Sequence, residues 1–488
     1  MICKGMQVLL IRPNYPAGGR ATGYPIGPAY LAAWLEQQGH TVRILDLAGE
    51  RQWQSELTRC LAEKEFDLAG ISCMSVQYEG AVQAARCIRE ICPQLKIVLG
   101  GAHPSCAPAD TLRPSCVDYA VAGEGELPLS QLLDSLRSGE GFESIAGLGY
   151  KVDGEIRWQP PAKGQLDLDQ LPFPAYHLLD LERYFRQEIP GFAPRKTPAI
   201  QIFTSRGCPY HCIYCHDIFG KSFRRRSPEH ILRELQWLHT HHGVREFLVY
   251  DDNFTMNLSH AKEVCRRIID SKMDLGIQFP NGIRADRMDA ELMELMARAG
   301  THSIAIGIES GSPRVQQLIR KDLNLQKVKE CISLARKAGI TTSGFFMIGF
   351  PTESRQEIHQ TIRFARDSDL DHALVSIATP YPGTELAAMV QEKGYAVHMD
   401  QGNLDIMAPH IRTDQFSFRR IKWYHLKAYL WFYSRPRRLG SMLASLRHPA
   451  VFLKYLRGLN KYLFQNLRYA VHNPRRADSI VSHDTHSG

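Results

Sequence analysis

Two runs of strand–helix alternation, separated by a segment rich in Pro and Gly, constrain this 488-residue chain more than any other feature. A parallel strand buried on both faces reads as a short continuous apolar run, and each needs a crossover helix before the next. In the first run the strand-type segments are Gln7–Arg12, Thr41–Leu47, Phe66–Met74, Lys96–Gly101 and Val117–Ala122. Helical periodicity appears at Pro28–Gln38, Gln54–Glu63, Gly80–Ile91 and Leu127–Leu136. Five strands and four helices predict a doubly wound parallel sheet over residues 1–140, with a ligand crevice at the carboxyl ends of the strands. The turns there are small or glycine-rich, notably Gly100-Gly101-Ala102-His103-Pro104 and Gly123-Glu124-Gly125-Glu126.

Residues 141–195 read as a linker that holds a small hairpin, Gly147–Val152 and Glu155–Trp158, around Asp153-Gly154. The alternation resumes from 196 to 390. Strand segments are Ala199–Thr204, Glu246–Asp251, Gly276–Asn281, His302–Ile308, Thr341–Ile348 and Ala373–Thr379. Helical segments are Pro228–His241, Ser259–Ser271, Ala290–Ala299, Arg314–Ile319, Leu325–Ala338 and Arg355–Ser368. Six such units predict a partial (β/α)6 barrel whose chemistry sits in the loops after the strands. The predicted fold class is therefore α/β: a doubly wound sheet, a partial barrel, and an α-helical C-terminal region over 391–476 before a disordered tail at 477–488.

Charge is distributed unevenly. The net charge is +8, but residues 415–476 hold 14 Lys or Arg and no Asp or Glu, which leaves the remainder at −6. The same window holds 13 of the 45 aromatic residues. Arg419–Tyr433 has helical amphipathic spacing, with Ile421, Tyr424, Leu426, Tyr429 and Leu430 expected along one side and basic residues elsewhere. Basic helices with Trp, Phe and Leu suit an anionic membrane surface or a large apolar substrate bearing carboxylates. A helical cap packed on the barrel explains the same pattern, and single-stranded nucleic acid is the remaining rival, although no RNA-binding module accompanies the tail. No apolar run is long enough to span a bilayer. The opening MICKGMQVLLIRPNYP holds only a four-residue apolar run, ended by Arg12, and reads as a first strand, so a cytosolic protein is expected, with peripheral contact at the inner membrane face left open.

Immediately after the first barrel strand comes Thr204-Ser205-Arg206-Gly207-Cys208-Pro209-Tyr210-His211-Cys212-Ile213-Tyr214-Cys215. Three thiols within eight residues of one loop can converge on one inorganic centre. Three ligands for a four-iron cube leave one iron open to an exogenous ligand. Zinc is the competing reading, with His211 or His216 as a fourth ligand. Cys60, Cys73, Cys87, Cys92, Cys106, Cys116, Cys265 and Cys331 read as packed free thiols.

This C-x3-C-x2-C motif, with an aromatic before its last Cys and a barrel strand before it, resembles the radical S-adenosylmethionine superfamily. The preceding doubly wound domain is similar to that of the cobalamin-binding subgroup, as are Leu168-Asp169-Gln170-Leu171-Pro172-Phe173-Pro174, Gly307-Ile308-Glu309-Ser310-Gly311, Gly349-Phe350-Pro351-Thr352-Glu353 and Tyr381-Pro382-Gly383-Thr384-Glu385-Leu386. The resemblance covers roughly residues 5–390. It implies that Cys208, Cys212 and Cys215 bind a 4Fe–4S cluster whose fourth iron chelates S-adenosylmethionine, and that reductive cleavage of the sulfonium gives a deoxyadenosyl radical. It places Tyr214 near the adenine and Asp251 or Asp252 near the cofactor ammonium. There the sequence reads Tyr250-Asp251-Asp252-Asn253-Phe254, without the family's paired Gly. Arg284, Glu309 and Ser310 are implied at the methionine carboxylate or ribose, and Gly349 and Pro351 at the adenine. Ser72, Ser75, Gly100, Gly101, His103, Gly123 and Glu124 are implied at cobalamin. The D-x-H-x-x-G motif that supplies a cobalt ligand is missing: the first strand runs into Arg12-Pro13-Asn14-Tyr15-Pro16.

The activity implied is cobalamin-dependent methylation of an unactivated carbon in a large apolar substrate such as a tetrapyrrole, a hopanoid or other lipid, or a natural product. An electron donor such as flavodoxin or ferredoxin is implied, and no nucleic-acid partner. The alternatives are oxidative ring closure on a magnesium-porphyrin ester and a non-catalytic iron–sulfur or corrinoid carrier. A methylthiotransferase would need a second three-Cys site, and residues 1–140 hold none near strand ends.

Overall fold

The computed structural model describes residues 5–15, 23–161, 166–187, 193–216, 218–397 and 406–445. The remainder of the expected C-terminal helical region, from 446 to 476, and the expected disordered tail at 477–488 lie outside these residues. The chain divides into two compact units, Met1–Tyr429 and Leu430–Gly488.

The first sheet holds β1 (Gln7–Arg12), β2 (Thr41–Asp46), β3 (Leu68–Ser72), β4 (Lys96–Gly100), β5 (Tyr119–Val121), β6 (Leu148–Val152) and β7 (Glu155–Trp158), in the order β2-β1-β3-β4-β5-β6-β7. Its helices are α1 (Ile26–Gln37), α2 (Trp53–Glu63), α3 (Tyr78–Ile91), the short α4 (Ala102–Cys106) and α5 (Pro108–Thr111), and α6 (Glu126–Ser138). Alternate strand residues feed two cores. Leu9, Ile11, Ile71, Ile97 and Leu99 pack with α2 and α3 on one face, while Val8, Leu10, Leu68, Val98 and Val121 pack with α1 and α6 on the other. All five strands through β5 are parallel, and the order reverses between β1 and β3, which sets the crevice at their carboxyl ends.

One expectation needs correction here. The hairpin β6–β7 belongs to this sheet, not to a linker: Tyr119 pairs Tyr150 and Ala120 pairs Gly149 in antiparallel register. The short β5 would otherwise leave an unpaired edge. Gly149 is required in the hairpin because a Cβ there would lie 2.6 Å from the Trp158 ring. The connecting segment then carries α7 (Leu181–Phe185).

The second sheet has six parallel strands in chain order: β8 (Ala199–Ile202), β11 (Glu246–Val249), β12 (Gly276–Ile283), β13 (Thr301–Glu309), β14 (Thr341–Ile348) and β15 (His372–Ile377). Between β8 and β11, two-residue strands β9 (Ser205–Arg206) and β10 (Arg224–Arg225) pair antiparallel and close off the cysteine loop. The crossover helices are α8 (Pro228–His242), α9 (Leu258–Asp270), α10 (Ala290–Arg298), α11 (Pro313–Leu318), α12 (Leu325–Lys337) and α13 (Arg355–Asp367). Side-chain caps start most of them, as in the Ser354/Glu357 capping box of α13.

After α14 (Glu385–Glu392) the chain forms an antiparallel pair, β16 (Ala396–Val397) with β17 (Ile411–Arg412), so the C-terminal region is not helical from its start. α15 (Phe418–Tyr433) and α16 (Pro436–Ser445) follow. In the first unit α15 lies along β15: His425 Nε2 is 2.7 Å from Val375 O, and Val375 N–H donates to Tyr429 Oη at 3.1 Å. The buried residues of that face are Ile421, Tyr424, His425 and Ala428. Leu426 and Leu430 are exposed, so they do not share one side with Ile421 and Tyr424 as expected; hydrogen bonding to the β15 edge selects the His425 face. Among the described residues no helix is long and apolar enough to cross a membrane.

Candidate active site

The cysteine loop hangs from both sheets. Gly207 takes φ +85°, and a Cβ there would lie 2.3 Å from Ser222 O, so only glycine fits. Its N–H donates to Asp252 Oδ2 at 3.0 Å. Further along, Ile213 N–H donates to Ile319 O (3.2 Å) and Leu386 N–H to Ile213 O (2.8 Å). Ile213 is buried with Val315, Ile319, Phe350 and Leu386, which fixes the loop between Cys212 and Cys215.

Cys208, Cys212 and Cys215 line one cavity of about 290 Å³ at the carboxyl ends of β11, β12 and β13. Burial pushes the Cys208 thiol up, and burial with the adjacent Cys212 pushes Cys215 to about 12. Among the described residues no group of three His, Cys, Asp or Glu side chains is placed to hold a metal ion. Three soft donors around one cavity, with ionisation opposed by burial and mutual repulsion, fit a larger cationic sulfur-ligated centre. Tyr214, Asp252, Arg284 and Glu309 line the same cavity, as implied by the resemblance.

Glu309 is aimed by backbone distortion. The β13–β14 register shifts between Gly307 and Glu309, and Glu309 itself takes φ +64°. Such a conformation in a non-glycine residue costs about 1–3 kcal/mol. It brings Glu309 Oε1 within 3.0 Å of Lys321 Nζ, which is also 3.4 Å from Tyr214 Oη. Arg284 spends two guanidinium nitrogens on Asp286, at 3.0 and 2.9 Å, and lies 3.8 Å from the centre of the Tyr210 ring.

Four implied residues fall outside this cavity. Asp251 is buried and its carboxylate is filled by Thr204 N–H (2.6 Å), the Thr204 hydroxyl and the Ser205 hydroxyl (2.6 Å). Burial outweighs those bonds and raises its carboxyl to about 6. It holds β8 to β11, and its neighbour Asp252 faces the cavity. Ser310 is fully buried against Thr361 Oγ1 (3.0 Å). Gly349 and Pro351 do not line the cavity; Gly349 packs against Ile421 of α15. The ring of their neighbour Phe350 lies 6.1 Å from Tyr214.

Glu353 organises that last loop. One of its oxygens accepts Gly349 N–H (2.6 Å) and Phe350 N–H (3.1 Å), while the other is buried without a hydrogen-bond partner. Burial raises its carboxyl from the ordinary 4.5 to about 8. A carboxyl raised on folding stabilises the native state fully below about pH 4.5, and the contribution is lost as pH rises through 8. Relative to Glu353→Gln, the wild type is expected to lose on the order of 1 kcal/mol per pH unit between these values, read from denaturant midpoints across pH.

A second cavity, of about 500 Å³, opens at the carboxyl ends of the first sheet. Ser72, Gly100, Gly101, Gly123 and Glu124 line it, as the resemblance implies. Gly101, at φ +101°, would place a Cβ 2.9 Å from Cys73 O, so close packing on the end of β3 requires glycine there, while a Cβ at Gly100 would meet nothing within 4 Å and that position faces open space. Such a glycine-lined crevice fits a large planar cofactor approached by backbone. Ser75 and His103 do not line it. His103 stacks on Tyr78 with ring centres 3.9 Å apart, its Nδ1 lies 3.2 Å from Ser75 Oγ, and burial lowers it to about 4. It belongs to the wall behind the turn.

Sequence reasoning missed the joint between the cavities. Arg206, two residues before Cys208, is buried, and its Nη1 lies 2.8 Å from both Glu124 Oε2 and Glu126 Oε1. Glu124 also pairs with Arg224. The Arg206 guanidinium stands 5.1 Å from the ring centres of Tyr30 and Phe219. Arg206 was legible only as part of the cysteine motif. Lys321 was missed because it sits in a charged turn between helices. His216, Ile218, Phe219, Asp252 and Asn281 line both cavities, so the two share a wall.

Comparison with known proteins agrees with this geometry. Residues 202–365 match the Radical SAM superfamily and residues 19–133 match the B12 binding domain. An uncharacterized methyltransferase of Pyrococcus horikoshii is 32% identical over 95% of this chain and 100% of its own length. Cytidylyl-2-hydroxyethylphosphonate methyltransferase of Streptomyces wedmorensis is 30% identical over 76% of this chain and 78% of its own. The anaerobic magnesium-protoporphyrin IX monomethyl ester cyclase of Rubrivivax gelatinosus is 27% identical, covering 84% and 74%. The fold matches that of the radical S-adenosylmethionine methyltransferase TsrM from Kitasatospora setae, with a TM-score of 0.67 at 21% identity over 81% of this chain and 79% of that one. These relatives are enzymes, so the carrier reading falls away, and the family's cofactors are S-adenosylmethionine with a 4Fe–4S cluster and, through the B12 domain, cobalamin. The chain belongs to the radical S-adenosylmethionine superfamily, as an enzyme that carries a B12-binding domain ahead of its barrel.

Proposed function

We propose that this enzyme methylates an unactivated carbon of a large, mostly apolar small molecule. The observation that carries the reading is the wall shared by the two cavities. A substrate lodged against Ile218 and Phe219 has the three thiols on one side and the glycine-lined crevice on the other. When bound, the cluster with S-adenosylmethionine supplies hydrogen abstraction and the corrin supplies a methyl group.

The chain's own residues account for placement. Cys208, Cys212 and Cys215 hold the cluster and leave one iron for S-adenosylmethionine. Lys321 and Arg284 offer positive charge to its carboxylate, Asp252 and Glu309 offer negative charge to its ammonium, and Tyr214 flanks the adenine. Gly100, Gly101 and Gly123 admit the corrin to the backbone. Ile218 and Phe219 keep water from the space between. A one-electron donor of the flavodoxin or ferredoxin type completes the system. An apolar substrate of this size resides in or against lipid, so the reading includes peripheral contact with the inner face of a membrane.

The test is a product inventory from anaerobically reconstituted enzyme with reductant, cobalamin and candidate substrates. Methylation through cobalamin is expected to yield both 5′-deoxyadenosine and S-adenosylhomocysteine with each methylated product. The second reading, oxidative ring closure, is favoured by the likeness to the porphyrin ester cyclase. It yields 5′-deoxyadenosine without S-adenosylhomocysteine, and that outcome would replace the methylation reading.

A further inference from the structure

α15 is apolar on two faces. Its inner face is packed along β15, yet its outer face turns Trp423 (54% exposed) and Leu426 (38% exposed) to solvent. A surface helix with one packed face ordinarily presents polar side chains on the other. Exposed Arg419 and Arg420 flank the pair, and Lys427 Nζ lies 5.1 Å from the centre of the Trp423 ring. A lysine stem laid over an indole, with its ammonium at the rim, is the arrangement of an interfacial anchor. The second unit, taken by itself, exposes Leu430 (62%), Leu439 (42%) and Arg437.

Charge decides what covers this surface. A second copy would set one +14 region against another. Single-stranded nucleic acid matches the charge but binds by stacking on rings, and Leu426 offers no ring. An anionic lipid surface matches both the charge and the aliphatic side chains.

We propose that the outer face of α15 docks on an anionic phospholipid surface, with Trp423 and Leu426 entering the boundary between headgroups and acyl chains. The surface follows from exposure and charge, and only its use for collecting substrate rests on the apolar-substrate reading above.

The experiment is flotation of the full-length, anaerobically reconstituted chain with phosphatidylcholine vesicles, alone or with about one-third phosphatidylglycerol. Binding is expected to the anionic vesicles only and to be released by salt. The double substitution Trp423→Ser, Leu426→Ser is expected to lower partitioning about tenfold, with the circular dichroism spectrum and S-adenosylmethionine cleavage unchanged. Equal flotation on neutral vesicles, no flotation, or undiminished flotation of the variant overturns the proposal. So does a dimer, or retained nucleic acid, that the variant loses while neither protein floats. Methylation of a detergent-dispersed substrate is measured on the same preparations. Flotation without methylation leaves this surface standing and removes the methylation reading, and methylation without flotation does the reverse.

Discussion

Cys212→Ala is expected to retain the fold, bind fewer than the roughly four irons of the reconstituted wild type, and release 5′-deoxyadenosine at a rate lower by about 10³-fold or more. The substitution isolates chemistry from folding. The backbone around Cys212 is fixed by neighbours, through Ile213 N–H to Ile319 O and Leu386 N–H to Ile213 O, and neither bond involves the thiol. The Cys212 sulfur meets Arg320 O at 3.8 Å and the Tyr214 side chain, and neither contact fixes the backbone. The control is Cys265→Ala, a buried thiol on the inner face of α9, which should keep its iron. Iron analysis with product chromatography checks both. An iron-free, zinc-loaded wild type would overturn the cluster assignment.

Arg206→Met is expected to destabilise the chain by about 3–5 kcal/mol. Two carboxylates converge on Arg206: Glu126 keeps 5% of its side chain exposed and Glu124 13%. Methionine fills the space between Tyr30 and Phe219 but leaves Glu126 charged and buried without its partner. Glu124 retains Arg224, so it suffers less. Adding Glu126→Gln to Arg206→Met should therefore restore more stability than adding Glu124→Gln, and chemical denaturation of the wild type and these three variants reads the difference. The joint also spans the two cofactor loops, so Arg206→Met is expected to weaken cobalamin retention, read from the corrin absorbance after desalting. Unchanged stability and retention would remove Arg206 from this role.

The strands were legible because most of them carry a short apolar run between turn signals; β14 spans Thr341–Ile348 as expected and ends on Phe345-Phe346-Met347-Ile348. Membership of the hairpin in the first sheet was not legible, since the edge it completes lies about thirty residues upstream and leaves no local trace. The sides of α15 were not legible for a related reason. Leu426 and Leu430 are expected on one side with Ile421 and Tyr424, yet His425 and Tyr429 hydrogen-bond the edge of β15, which turns Leu426 and Leu430 outward. At the site, the three cysteines were legible because their spacing confines them to one loop. Which of Asp251 and Asp252 faces the cavity was not, because adjacent residues at a strand end point to opposite sides. Glu309 was legible, but Lys321, its partner, stands in a turn whose charges look solvated. His103 was drawn toward the crevice by its glycine neighbours, and its ring packs away on Tyr78 instead.

The bond pattern between α15 and Val375 bears on how the tail can be studied. The last barrel strand is sealed by two side chains, not by another strand. A chain cut before Phe418 would bare that edge and the apolar surface beneath Ile421, a template for intermolecular strand pairing. Deleting the basic region would therefore yield aggregates that mimic loss of function, and substitutions confined to the outward side of the helix are the only clean way to ask what the tail contributes.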